Sequence, residues 1–167
     1  MHYALKRLSP SGLDAALEKA ERYRDLNQPE EAESICRDIL DIDPSHQAGL
    51  RTLGLTLTDR FSGEWTDLFE EAQATFRKLE GEYERAYYAG IAWERLAKAQ
   101  LEHHQARNAL HSFEKALSFF QIAEDLAQGS SPDPVLRWNR CVRALTAHPA
   151  LREATRAQAP AGFRYDD

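Results

Sequence analysis

The nearest approach to a cluster of metal-ligating side chains in this sequence is His103, His104 and His111. Imidazoles at that spacing can meet across the tip of a helical hairpin. Without a carboxylate or cysteine partner at ligand spacing, however, the expectation is a polar turn and no metal. Cys36 and Cys141 are too far apart for a disulfide framework and fit a reducing compartment. Both fall in apolar patterns, and a free cysteine there behaves as a small buried hydrophobe. There is no glycine-rich phosphate loop, no H-E-x-x-H, no C-x-x-C and no Glu-x-x-His pair. The reading is therefore non-enzymatic, with no catalytic residue and no cofactor. The chemistry that remains belongs to arginine. Arg137, Arg140 and Arg143 recur every third residue, with Asn139 among them. Guanidinium groups hold carboxylates or phosphates in bidentate fashion, and an amide can donate alongside them.

The elements that would position those groups are helices. Among 167 residues Ala and Leu together number 45, and Val and Ile only 7. Straight or short side chains suit helices, whereas sheets favour β-branched ones, so the expected class is all-α. The length fits one domain with a real core. No apolar run approaches the roughly 20 residues of a membrane span. Residues 1–8 carry two charges and no apolar stretch, so no secretory signal is expected and the compartment read is cytoplasmic. Residues 1–134 hold 15 basic and 24 acidic side chains, net −9, whereas residues 135–164 hold six Arg and one Glu, net +5. An acidic body argues against nucleic acid as a partner. The Arg-rich end either pairs with the protein's own acidic helices or receives an acidic segment of another molecule.

Prolines and glycines mark the breaks. Ser9-Pro10 reads as an N-cap and first helical position, opening a helix to about Leu26. Asn27-Gln28-Pro29 turns into a helix reaching Leu40, and Asp43-Pro44 stops it. Ser45 is expected to cap a helix to about Asp59, and a loop over 60–63 leads to a helix over about 64–79. Two long helices over about 82–102 and 106–127 follow, then a break over 129–134, an amphipathic stretch over 135–147 and a short helix after Pro149. This divides the chain into an N-terminal arm (1–9), a helical domain (10–158) and a polar tail (159–167).

Self-similarity runs through the helical part. Small residues recur at Ala20, Gly54 and Gly90, separated by 34 and 36 residues, each followed three later by Tyr23, Leu57 and Trp93. The partner helices carry Ala32-x3-Cys36-x2-Ile39, Ala72-x3-Phe76-x2-Leu79 and Ala109-x3-Phe113-x2-Ala116. The alanine lets its helix approach the Gly or Ala of the preceding helix, and the larger residue a turn later fills the groove towards the next pair. This pattern resembles the tetratricopeptide repeat, whose unit reads W-x2-L-G-x2-Y, then A-x3-F, then P. Leu50-x2-Leu53-Gly54-x2-Leu57, Ala109-x3-Phe113-x2-Ala116 and Pro44 are the best matches. Trp138-x2-Cys141-Val142-x2-Leu145 fits a fourth start, with Val in the small slot. The second and third units are longer: Gly54 to Ala72 spans 18 residues and Gly90 to Ala109 spans 19, against 12 from Ala20 to Ala32.

The resemblance implies a right-handed superhelical stack of three to four antiparallel helix pairs. It also implies a concave groove, made by the first helix of each pair, that binds a partner peptide or protein segment. Carried over, the groove residues are Arg51, Leu55, Tyr87, Tyr88, Ile91 and Arg95, with Asn139, Arg140 and Arg143 on the last helix; Leu17, Glu21, Glu84 and Glu94 share that face. Relatives that grip chaperone C-termini use Lys, Asn and Arg where this chain has Leu17, Glu21, Thr52, Glu84 and Tyr88, so that specialisation is not expected. The function implied is a scaffold or adaptor, its partner carrying an acidic or C-terminal carboxylate segment at the Arg-rich end. A small chaperone of this repeat type for an exported or unstable protein is the alternative. A helical-bundle enzyme or metal protein ranks behind both. No membrane partner is expected, and homo-oligomers are compatible with the sequence.

Overall fold

The computed structural model describes residues 3–61 and 65–158. Among them are eight α-helices, one 3-10 turn and no strand: α1 (Leu13–Asp25), α2 (Pro29–Ile42), α3 (Gln47–Asp59), α4 (Trp65–Phe76), α5 (Glu82–Glu102), α6 (Ala106–Ala127), α7 (Asp133–Ala147) and α8 (Pro149–Gln158). The all-α expectation holds. The expected helix start at residue 64 and the tail over 159–167 lie outside the described residues.

Turn chemistry explains most of the boundaries. Past α1, Asn27 takes a left-handed φ of 57°, and Gln28 N–H bonds back to Tyr23 O at 2.9 Å. The same closure recurs after α5, where His104 has φ 58° and Gln105 N–H reaches Gln100 O at 2.8 Å. Both are six-to-one C-terminal closures, which satisfy carbonyls that would otherwise be orphaned. Ser9 stands at the N-cap position with Pro10 following, as the sequence reads, but without a cap bond, and at α3 the cap residue differs. The Ser9 hydroxyl lies 3.2 Å from that of Ser11, and Pro10–Gly12 forms a 3-10 turn before α1 begins. At α3 the cap is His46, whose Nδ1 accepts the Gly49 N–H at 3.0 Å. Ser45 is drawn away because its N–H and hydroxyl both donate to Asp43, at 3.0 and 2.8 Å.

Consecutive helices pack in pairs, and the odd-numbered ones also touch in series, α1 on α3, α3 on α5 and α5 on α7. The interior falls into two clusters. One gathers Ala20, Cys36, Leu50, Leu57, Phe76 and Leu96; the other gathers Ile91, Phe113, Phe120, Cys141 and Leu151. Leu55, Tyr88 and Trp93 pack against both, joining the two halves across α3 and α5.

Two glycines set the spacing of the pairs. A Cβ added at Gly54 would stand 2.2 Å from Phe76 Cε1, and one at Gly90 would stand 2.6 Å from Phe120 Cε1. Each ring therefore occupies the notch its glycine leaves. The sequence pattern sets Ala72 against Gly54 and Ala109 against Gly90, with Phe76 and Phe113 turned towards the next pair. Phe76 instead fills the notch within its own pair, and at Gly90 the notch takes Phe120 of Ala116-x3-Phe120-x2-Ala123. Phe113 lies two turns nearer the hairpin tip and shares the second cluster with Ala97. The pair α5–α6 thus extends at both of its helices. Its outer part is pinned by a buried hydrogen bond from the Ser112 hydroxyl to Gln100 Oε1 at 2.7 Å. A bond shielded from water is stronger than the same bond at the surface, and it also fixes the hairpin register.

The fourth pair is different. Val142, in the slot held by Ala20, Gly54 and Gly90 earlier, is 37% exposed. Its neighbours Trp138, Cys141 and Leu145 do belong to the second cluster. Helix α8 docks on α6 as well as on α7.

Candidate functional site

The residues carried over to the groove separate into buried, committed and available groups. Ile91 is 2% exposed and belongs to the core, as does Glu94, whose side chain is 0% exposed. Neither offers surface. Leu55 and Tyr88 are half-buried at the joint between the two clusters. Tyr88 stacks on Phe76 with ring centroids 5.3 Å apart, and Tyr87 stacks on Tyr83 at 5.7 Å while tilting against Phe120 at 6.1 Å. Consecutive tyrosines cannot share one helix face, and here each covers a different core ring. Tyr83 was not singled out in the sequence. It lies four residues before Tyr87, and that i, i+4 spacing is the signal that would have found it.

Charge on the odd helices is arranged in series. Asp59 of α3 accepts from Arg24 of α1 at 2.6 Å and from Arg95 of α5. Arg95 also donates to Leu55 O at 3.1 Å and to the Thr58 hydroxyl, so it holds the end of α3, where a cation suits the helix dipole. Burial pushes the Arg95 guanidinium below its ordinary value, opposed by Asp59. The Arg95 side chain is therefore committed to the fold. Further along, both oxygens of the buried Glu94 are engaged, Oε1 by Lys98 and Oε2 by Arg137 of α7 at 3.3 Å. Arg137 also reaches the Tyr87 hydroxyl. Burial acts to lower this guanidinium, but its bonds to Tyr87 and Glu94 prevail and leave it raised. Burial raises both Tyr87 and Tyr88, against the pull of Arg137 on the first and Arg51 on the second.

The arginine stripe thus divides. Residues three apart on a helix rotate by about 60° per step, so a row of them winds off the face on which it starts. Arg137 points to α5, while Asn139, Arg140 and Arg143 are exposed. Among the described residues, Arg51, Arg140 and Arg143 make no ion pair.

The histidines do not converge. His103 and His104 lie at the turn after α5, whereas His111, on α6, faces the edge of Trp93 at 6.3 Å. No group of three His, Cys, Asp or Glu side chains among the described residues can hold a metal ion. None of their helices is long and apolar enough to cross a membrane. Compared with protein families and with curated proteins, the chain matches neither a family model nor a curated sequence.

Cys36 and Cys141 are both fully buried, each in one of the two clusters. Burial pushes both thiols up to about 12, far from the thiolate form that reacts. Neither cysteine is expected to be labelled by a thiol reagent at mildly alkaline pH until guanidinium unfolds the chain. Rapid labelling of the folded protein would place a thiol at the surface.

On the other side of α5, helices α4 and α6 enclose a cleft of about 840 Å³. Its floor is Ala86, Ala89 and Trp93 of α5, and its walls include Phe69 of α4 and Phe119 of α6. Of its lining the sequence pattern marks only Trp93, as the bulky residue after Gly90, and not as part of a cleft.

Proposed function

We propose that the chain is a divergent tetratricopeptide-like array, stacked as a right-handed superhelix, that acts as a non-enzymatic scaffold or adaptor in the cytoplasm. It binds a segment of a partner protein along its odd-numbered helices. One observation carries the reading: α1, α3, α5 and α7 touch in series. That continuous face presents a half-buried tyrosine group with Arg51 beside it. Tyrosine and arginine give contact area and directed hydrogen bonds at low entropy cost, which is why they anchor interfaces. Exposed Arg140 and Arg143 supply guanidinium groups that no carboxylate among the described residues occupies, suited to an acidic or C-terminal carboxylate segment.

The test is affinity capture with the tagged full chain, read by mass spectrometry, beside Arg51→Glu and Arg140→Glu/Arg143→Glu variants of unchanged helicity. The expected result is a protein retained by the parent and lost from the variants, with salt-sensitive binding. Identical retention by all three would remove these arginines from the interface. Aggregation of that partner when it is made without the chain would favour a chaperone role over a scaffold. Turnover in a hydrolase screen would overturn the non-enzymatic reading.

A further inference from the structure

The cleft between α4 and α6 has the form of a seat for one more helix. Its apolar wall is exposed: Ile122 and Leu126, one turn apart on α6, are 48% and 41% exposed. They border a floor of Ala86 and Ala89, whose small side chains let a backbone come close, while Phe69 packs on Trp93 at the other end, ring centroids 4.6 Å apart. At 1.5 Å per residue, the lined stretches Phe69 to Arg77 and Lys115 to Leu126 run about 12 to 16 Å, or about two to three turns of helix. A trough of that length, with Phe119, Ile122 and Leu126 on one wall and the polar Glu70, Gln73 and Arg77 beside Phe69 on the other, suits the i, i+3, i+4, i+7 stripe of an amphipathic helix whose flanks are polar.

The rim identifies the chemistry of the occupant. Arg77, Arg85 and Lys115 face Glu70 and Glu82, so the mouth is net positive on a chain whose net charge is −6. Arg85 is partly occupied by the Leu79 and Glu80 carbonyls, at 2.7 Å each, and lies 4.0 Å from Glu82. Arg77 and Lys115 are exposed and make no ion pair among the described residues. They stand at opposite ends and on opposite walls, since Arg77 closes the α4 run and Lys115 opens the α6 run. An acidic residue on each flank of a docked helix would therefore find a cation.

We infer that this cleft docks an amphipathic helix of a partner protein, with an apolar stripe turned to Trp93 and Phe119 and acidic residues flanking it. The site lies apart from the odd-helix face and does not depend on it.

A fluorescein-labelled, helix-stapled peptide of about 16 residues, with Leu at i, i+3, i+4 and i+7 between Glu flanks, is the probe. Its anisotropy is read against the full chain. Controls are a peptide with the same composition and a scrambled period, and one with Lys replacing Glu. The stapled acidic peptide is expected to bind. The scrambled peptide should not bind, and the Lys peptide should bind about tenfold more weakly at low salt. Ile122→Glu/Leu126→Glu should lower affinity at least about tenfold with helicity unchanged, because both positions already meet water. Arg77→Glu/Lys115→Glu, both surface changes, should erase the preference for the acidic peptide. Arg140→Glu/Arg143→Glu should leave peptide binding as it is, so failure of the odd-face reading is scored separately. Equal binding of the ordered and scrambled peptides, or no loss in the Ile122→Glu/Leu126→Glu variant, overturns the proposal. A dimer in sedimentation equilibrium that this variant turns into a monomer also overturns it, by assigning the cleft to a second copy.

Discussion

Gly54→Leu is expected to destabilise the protein by about 2–3 kcal/mol, the upper part of the range for overpacking a filled core. For a chain of this size that is a fall of about 5–10 °C in melting temperature. The cause is spatial. A Cβ at position 54 would already stand 2.2 Å from Phe76 Cε1 and 2.6 Å from its Cζ. Phe76 is 1% exposed and stacks on Tyr88, so its ring has no open space to take and any shift is passed to α5. The loss occurs even though leucine is the better helix former by about 0.8 kcal/mol, which an exposed glycine would have returned as a gain. Gly90→Leu should behave alike through Phe120. Gly129 is the control: it has φ 81° and nothing within 4 Å of a built Cβ, so its substitution strains the backbone without overpacking. A cycle of Gly54→Ala with Phe76→Leu separates the contact from background, and the pair should cost less than the sum. Unchanged melting of Gly54→Leu, measured by circular dichroism, would mean that α3 and α4 do not meet at this point.

The small-to-large pattern made the first two pairs legible because only one phenylalanine or cysteine stood at the right distance past each turn. In the third pair two registers fit equally well, since Ala109, Phe113, Ala116, Phe120 and Ala123 repeat the motif with a seven-residue shift. Hairpin symmetry decides between them. The midpoint of Gly90 and Phe120 is residue 105, in the turn between α5 and α6, whereas that of Gly90 and Phe113 falls inside α5. The apolar cleft was not legible, because its walls come from α4 and α6, and periodicity within one helix carries no information about the gap between two. The cap read at Ser45 falls one residue away, on His46, for a local reason. A serine hydroxyl takes the nearest strong acceptor, and Asp43 lies closer to Ser45 than the first turn of α3 does.

The arginine stripe yields the other large effect, and it falls on the one member that sequence spacing could not distinguish from its neighbours. Arg137→Met should cost about 2–3 kcal/mol. A carboxylate without solvent exposure then keeps only Lys98, and breaking a buried pair from one side leaves a charge unpaid for in the interior. The figure lies below that for a fully isolated charge because Lys98 stays on Oε1. Arg140→Met and Arg143→Met, three and six residues on, should each stay within about 0.5 kcal/mol of the parent, as exposed substitutions do. Removing both partners tests whether the charge or the packing of α7 on α5 is responsible. Glu94→Leu with Arg137→Met should return to within about 1 kcal/mol of the parent, because a well-packed apolar pair replaces a buried ionic one at little cost. Chemical denaturation of the four proteins of this cycle gives the coupling, expected at about 1.5 kcal/mol or more. Additive losses would instead mean that α7 is held by Trp138, Cys141 and Leu145 alone, with Glu94 and Arg137 only adjacent.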